Sequence, residues 1–368
     1  MYFWVTLFRT EISHIYIFKR IGISIIIRGE NLKKLIGTIF IALLIVAAVF
    51  ISGCAAPEEE TEANVTEITF GYQPSTHQIA YMTAKEKGFW ADNLAPFGIE
   101  EINENQFPTG APEMQAMLSG HIDVAYVGAA PFVKARSEGL DAKIVAAVQT
   151  QGSDLVLRPD IEYESPEDLK GLKLATFPPG TIQDTLLRDW LKDNGVDPEE
   201  DVSIAPMGPG DAITAISAGQ IDGVFLPHPA PSIIEAEGNG RTVVSSGQMQ
   251  DEHACCVLVV SGDLIENNPE LVQEIVNTHV EATEYNQQNT DEAAEIFADK
   301  IGWEVELVQE SVAEWDGEWV SDPNQILNST VDYAQVQHDL GYIETPLTSE
   351  DLFDLSFFET LNMSATEE

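Results

Sequence analysis

The chain has 368 residues, 44% of them apolar, and carries 61 Asp and Glu against 18 Lys and Arg, a formal net charge of −43. That length supports two cores. The acidity excludes nucleic acid and other phosphate-rich partners as targets.

Taken in order, the chain opens with a leader. Residues 1–30 hold an apolar stretch broken by Lys19 and Arg20 and read as preceding the functional start codon. Next come Lys33 and Lys34, a 17-residue apolar run from Leu35 to Ile51, then Ser52, Gly53 and Cys54. Charged, apolar, small is the order of an export signal, and with Cys after Ser-Gly it resembles a lipoprotein signal in which Cys54 is lipidated. Residues 55–65 are acidic, poor in bulky apolar residues, and predict a flexible tether. Without residues 1–54 the chain keeps 12 basic and 59 acidic residues, a net of −47. A coat of that density fits life in high salt, where self-repulsion is screened. Sequons at Asn64, Asn328 and Asn362 allow surface glycosylation.

The body of the chain is written twice. "ITFGYQPSTHQIAYMTAKEKGFW" and "LKLATFPPGTIQDTLLRDWLKDNG" each read as a strand, a Pro-rich loop and an amphipathic helix. Each is followed by a strand-like segment, a loop at Thr109–Ala111 or Gly208–Gly210, and a helix. Then come "LSGHIDVAYVGAAP", from Leu118 to Pro131, and "SAGQIDGVFLPHPA", from Ser217 to Ala230. In both, Gly120 or Gly219 stops the helix, since Gly enters the left-handed conformation without cost. Ile-Asp then opens a buried strand. Three recurring elements at similar spacing predict two α/β lobes of related design, with mostly parallel sheets and a cleft where strand-end loops meet helix starts.

Enzyme signatures do not hold: there is no phosphate-cradling loop, nucleophile elbow, His-Glu-x-x-His or dinucleotide fingerprint. The expectation is no catalytic residue, no cofactor and no metal. Cys255 and Cys256 in "HACCVLVVS" read as two small buried strand residues, because neighbours on a strand point to opposite faces. His14 lies in the leader, and His279 and His338 fall in helical stretches. Only His77 and His228 sit in loops at strand ends.

These segments, with "SPEDLKGLK" and "VLVVSGDLIENNPELVQEIVNTHVEAT", carry a resemblance over about 66–345. The chain resembles the solute-binding proteins of ABC importers, in the nitrate/sulfonate/taurine and thiamine-pyrimidine group. The resemblance implies a two-lobe periplasmic-binding-protein-like fold (type II), with crossover strands near "VQTQGSDLVLR" and "EHACCVLVV" and the ligand held between lobes. Lobe one is then 66–150 plus 257–345, lobe two 155–252, with a C-terminal segment at 346–368. It implies ABC permease and ATPase partners, a small-molecule solute, and a monomer held at the extracellular face of an archaeal, halophilic membrane by its lipid. The expected ligand residues are Gln73, Ser75, Thr76, His77, Gly110, Ala111, Gly128, Gly180, Thr181, Gln183, Phe225 and His228. Several precede helices, whose free N–H groups favour an anion, and none of these loops holds Lys or Arg. A small oxyanion or sulfonate is expected. The alternative is a thiamine-type pyrimidine, with Phe177, Phe225 and His228 flanking a flat ring and Gln73 pairing with its edge. A pyrimidine synthase-like enzyme ranks below both.

Overall fold

The computed structural model describes backbone at residues 8–10, 13–20 and 23–28 and the continuous stretch 65–365. The chain divides into two compact units, Met1–Ala63 and Asn64–Glu368. In the first, β1 (Phe8–Thr10), β2 (Ser13–Arg20) and β3 (Ile23–Arg28) pair as an antiparallel meander. Cys54 and residues 55–64 of the tether lie outside the described residues. No helix among the described residues is long and apolar enough to cross a membrane.

The second unit holds two sheets. The larger contains β4 (Glu67–Tyr72), β5 (Glu101–Gln106), β6 (Val124–Gly128) and β7 (Ala142–Thr150). The smaller contains β8 (Ser153–Leu157), β9 (Lys173–Thr176), β10 (Ser203–Pro206), β11 (Gly223–Pro227) and β12 (Arg241–Ser245). The chain then returns to the larger sheet with β13 (Ala254–Ser261) and β14 (Glu318–Trp319). Strand orders are β14-β7-β13-β6-β4-β5 and β10-β9-β11-β8-β12.

The duplication read from the sequence recurs in these orders. β5-β4-β6 and β10-β9-β11 are parallel triplets of the same connectivity. Parallel pairing ends there, which limits the expectation of mostly parallel sheets. The strand that follows each crossing, β8 or β13, enters from the other lobe and runs antiparallel to both neighbours.

The repeated Gly-x-Ile-Asp has a physical reading in both places. Gly120 (φ 69°) and Gly219 (φ 65°) close helices Gly110–Leu118 and Pro209–Ser217. Each helix end makes the same pair of bonds: Gly120 N to Met117 O and His121 N to Ala116 O, against Gly219 N to Ile216 O and Gln220 N to Ala215 O. That is the glycine-terminated cap in which two last-turn carbonyls are satisfied at once. Ile122 and Ile221 are each 1% exposed, a burial worth about 1.5–3 kcal/mol apiece. The aspartates stitch the neighbouring strand: Asp123 Oδ2 accepts from Thr69 N and Asp222 Oδ2 from Lys173 N, both at 2.8 Å. β6 and β11 are buried along their whole length, as strands covered on both faces must be.

Two short crossings join the lobes. The first is Gln151–Gly152, both at positive φ (56° and 80°), and the second runs from Met249 to Ala254 through Glu252 (φ 51°). One carboxylate ties the first crossing to the helix that leads into the second. Asp316 Oδ1 accepts from Gly152 N at 2.8 Å and Oδ2 from Gly247 N at 2.7 Å. The lobes also touch directly. Thr76 Oγ1 donates to His228 O (2.9 Å), Ser311 Oγ sits 2.8 Å from His228 Nδ1, Gln337 Nε2 donates to Gly180 O (3.1 Å), and Tyr342 Oη donates to Asp184 Oδ2 (2.6 Å).

Candidate functional site

A cavity of about 580 Å³ lies between the lobes. Its wall includes the starts of helices from both lobes, among them Gly110–Leu118, Ala129–Ser137, Ile182–Asp193 and Pro209–Ser217. Gly110, Gly128, Thr181, Ile182, Pro209 and Gly210 are the lining residues at those starts. First-turn N–H groups have no acceptor inside their own helix and carry the positive end of its dipole. Glycine is needed where the walls pack closely. A Cβ on Gly110 would lie 2.5 Å from Pro131 Cγ, and one on Gly128 would lie 3.1 Å from Ile182 Cγ1.

The rest of the wall is largely apolar, with Phe107, Phe177, Trp303 and several prolines. Lys300, at the end of helix Thr290–Ile301, is the one Lys or Arg among the described lining residues, and no carboxylate lines the cavity. Its Nζ lies 2.8 Å from Glu104 Oε1. Burial alone would raise the Glu104 carboxyl, but hydrogen bonds from Lys300, Lys85 and Tyr81 outweigh it and hold it at about 2. Glu104 is shared with Lys85, so the Lys300 charge is only partly offset and adds at one edge to the positive potential of the backbone.

Of the residues expected from sequence, Gln73, Ser75, His77, Gly110, Gly128, Thr181, Gln183 and His228 line the cavity. Thr76 is turned to the His228 carbonyl instead. Ala111 follows Gly110 in its helix without joining the wall, and Gly180 (φ 85°) turns the chain ahead of Thr181 and gives its carbonyl to Gln337. Phe225 departs from the expectation: it is fully buried in the core of the smaller sheet, in one cluster with Leu155, Leu174 and Leu187, and is not among the residues lining the cavity. The Thr181 hydroxyl is occupied as a helix cap, donating to Pro178 O (2.8 Å) while receiving Asp184 N (3.4 Å). Gln73 is tied down as well, its Nε2 donating to buried Glu113 and its N–H to Gln78 Oε1.

Three features escaped the sequence reading. Lys300 arrives from a helix far along the chain. Pro209 and Gly210 are the second-lobe counterpart of Thr109–Ala111, and the repeat itself was the signal that would have found them. The third is the cysteine pair. The expectation that Cys255 and Cys256 point to opposite faces fails because β13 shifts register against β7 on both sides of Cys256, leaving Cys255 as an extra residue. A bulge of this kind re-aims a side chain. Both sulfurs reach the cavity wall 3.9 Å apart, next to His77.

Two lobes, two crossings and a site between the lobes define a solute-binding protein fold. Residues 61–301 match the NMT1-like family. The chain belongs to that family. Among solved structures, the alkanesulfonate-binding protein SsuA from Xanthomonas axonopodis pv. citri, bound to MOPS, superposes with a TM-score of 0.70 at 19% identity, over 79% of this chain and 99% of that one. The periplasmic nitrate-binding protein NrtA from Synechocystis PCC 6803 gives 0.71 at 16% identity, over 82% and 89%. By sequence, the nitrate/nitrite binding protein NrtA of Nostoc sp. PCC 7120 is 25% identical over 68% of this chain, a match spanning 60% of that protein's length. The taurine-binding periplasmic protein of Escherichia coli K12 is 28% identical over 58% of this chain and 68% of its own.

Proposed function

We propose that this chain captures a small organic oxyanion, a sulfonate, for an ABC importer. The observation that carries the reading is the convergence of helix starts from both lobes on a cavity with no carboxylate among its described lining residues. Such starts bind anions through backbone N–H groups without a side-chain cation. The volume supports a sulfonate with an apolar body over a bare inorganic ion, since about 580 Å³ lies within the range of sites for ligands of roughly drug size. Phe107, Phe177 and Trp303 suit the organic part. The relatives named for nitrate, taurine and alkanesulfonates support the same class. The pyrimidine alternative loses Phe225 to the core and finds Gln73 engaged with Glu113.

In this reading the protein is a monomer without a catalytic residue. It is tethered by a lipid on Cys54 outside the membrane and delivers its solute to permease and ATPase subunits. Intact-mass measurement of the mature form tests the tether, and a mature chain with no lipid at Cys54 removes it. The ligand class is tested by thermal unfolding with alkanesulfonates, taurine, nitrate, bicarbonate and hydroxymethyl-aminopyrimidine. A solute bound only by the folded form stabilises it by about 2.7 kcal/mol at a hundredfold excess over Kd. The expected result is a shift with a sulfonate. A shift with the pyrimidine alone, or with none of the panel, overturns the assignment.

A further inference from the structure

We propose that His77, Cys255 and Cys256 form a binding site for a thiophilic divalent cation, Zn²⁺ in the first instance, with its open coordination position facing the cavity. One donor atom from each residue lies within 4.8 Å of the other two. His77 Nδ1 is 3.2 Å from Cys255 Sγ, and the two sulfurs are 3.9 Å apart. With Zn–S near 2.3 Å and Zn–N near 2.0–2.1 Å, tetrahedral bonding separates two sulfurs by about 3.8 Å and a sulfur from a nitrogen by about 3.5 Å. Both separations are within a few tenths of an ångström of those values, and the third, between His77 and Cys256, is at most 4.8 Å. Two of the three edges therefore already match one face of a tetrahedron.

The surroundings set the His77 tautomer and engage one of the two sulfurs. His77 Nε2 lies 2.7 Å from Gly152 O, and a carbonyl can only accept, so the proton sits on Nε2 and the Nδ1 lone pair is bare. Metal-binding histidines are held by the same outer bond. Gly152 keeps that bond short: a Cβ there would lie 2.9 Å from His77 Nε2. Gln78 Nε2 donates to Cys256 Sγ at 3.6 Å, a contact that favours the thiolate. The bulge at Cys255 is what puts both sulfurs on one side of β13. Two independent departures from ordinary geometry, a positive-φ glycine and a register shift, thus serve one cluster.

The chemistry balances simply. The cation takes the bare Nδ1 and two thiolates, and the two thiol protons leave to solvent. Three protein ligands with a fourth position open is the pattern of a site that accepts an exchangeable group, whereas closed structural zinc sites have four. His77, Cys255 and Cys256 all line the cavity, so that fourth position opens into it. The site does not depend on which solute the cavity takes, and its test is separate from the ligand panel.

The test uses the full chain, stripped of metal and reduced with a phosphine, titrated first with Co²⁺ and then with Zn²⁺. The expected result is one equivalent of Co²⁺ giving thiolate-to-cobalt charge transfer and intense tetrahedral d–d bands. One equivalent of Zn²⁺ then displaces it, and Zn²⁺ added to the stripped chain in weak buffer releases two protons per metal. The double variant Cys255→Ser, Cys256→Ser keeps Cys54 and is expected to lose the charge-transfer band and at least tenfold in Zn²⁺ affinity. His77→Gln should weaken affinity while retaining the band. Absence of the band in the wild-type chain overturns the proposal without need of any variant. So does unchanged Zn²⁺ affinity in a double variant whose melting profile shows it folded.

Discussion

Gly210 offers a direct test of how the cavity holds charge. It is the second residue of helix Pro209–Ser217, lines the cavity, and a Cβ added there meets nothing within 4 Å. Gly210→Asp therefore introduces a carboxylate without steric cost. In the first turn of a helix an acid also complements the dipole, and leaving glycine gains helix propensity. The fold should be as stable as before or slightly more so. A sphere of 580 Å³ has a radius of about 5 Å, which puts a wall carboxylate roughly 6 Å from a bound oxyanion. At an effective dielectric of about 20 the repulsion is about 2.8 kcal/mol. That corresponds to about a hundredfold weaker binding. Gly210→Asn occupies the same space without the charge and should weaken a sulfonate by less than about threefold, under 1 kcal/mol. Isothermal titration of the three proteins with an alkanesulfonate reads the difference, with melting temperature as the control for folding. Equal losses in the Asp and Asn variants would refute the electrostatic argument, because only bulk would then be at work. An increase in affinity with Asp would mean that the ligand presents positive charge.

Three further outcomes follow from named contacts. Ser311→Ala removes the hydroxyl that links helix Val305–Glu314 to His228 Nδ1 (2.8 Å) and Ser232 Oγ (3.0 Å) across the lobes. Since His228 keeps Ser232 at 3.3 Å, the loss should be about 1–2 kcal/mol of the closed form. Affinity should drop roughly fivefold to thirtyfold and X-ray scattering should give a larger radius at fixed ligand, whereas unchanged affinity sinks the idea of a latch. Burial pushes the Glu113 carboxyl well above the usual carboxylate range. A raised folded value gives stability that is full below the unfolded value near 4.5 and is lost as pH rises through the folded one. Glu113→Gln should thus match the wild type in urea unfolding at pH 4 and exceed it by a margin that widens toward pH 8, and a gap independent of pH would contradict this. With −47 on the chain after Cys54, lowering salt from about 1 M to about 0.01 M extends the screening length from about 3 to about 30 Å. The melting temperature should fall, and equal values at both salts would remove the high-salt reading.

The duplicated halves were legible because backbone needs wrote them. Gly120 and Gly219 are required where a helix end turns left-handed. The aspartates that follow are required to satisfy strand N–H groups at Thr69 and Lys173. Loops at strand ends followed from the same pattern, which is why His77, Gly110, Gly128 and Thr181 could be placed at a cleft from sequence. Side-chain direction was less legible. β11 is covered on both faces, so an aromatic near its end faces core or cavity with no change in the surrounding pattern, and Phe225 went to the core. The alternation rule misassigned Cys255 and Cys256 because one extra residue in a strand leaves no mark in composition. Lys300 was hidden by distance along the chain: only packing of helix Thr290–Ile301 brings it to the wall.

The supply of helix starts from both lobes bears on how a ligand, in the proposed reading, gets out. An anion held from both sides loses one lobe's donors in one event when the lobes part. The donors that remain face bulk water, which competes for the same anion. Retention is then a threshold in opening angle instead of a gradual slope, and the lifetime of the complex is set by how often the hinge opens. Anything that pries the lobes apart discharges the cargo without having to touch it.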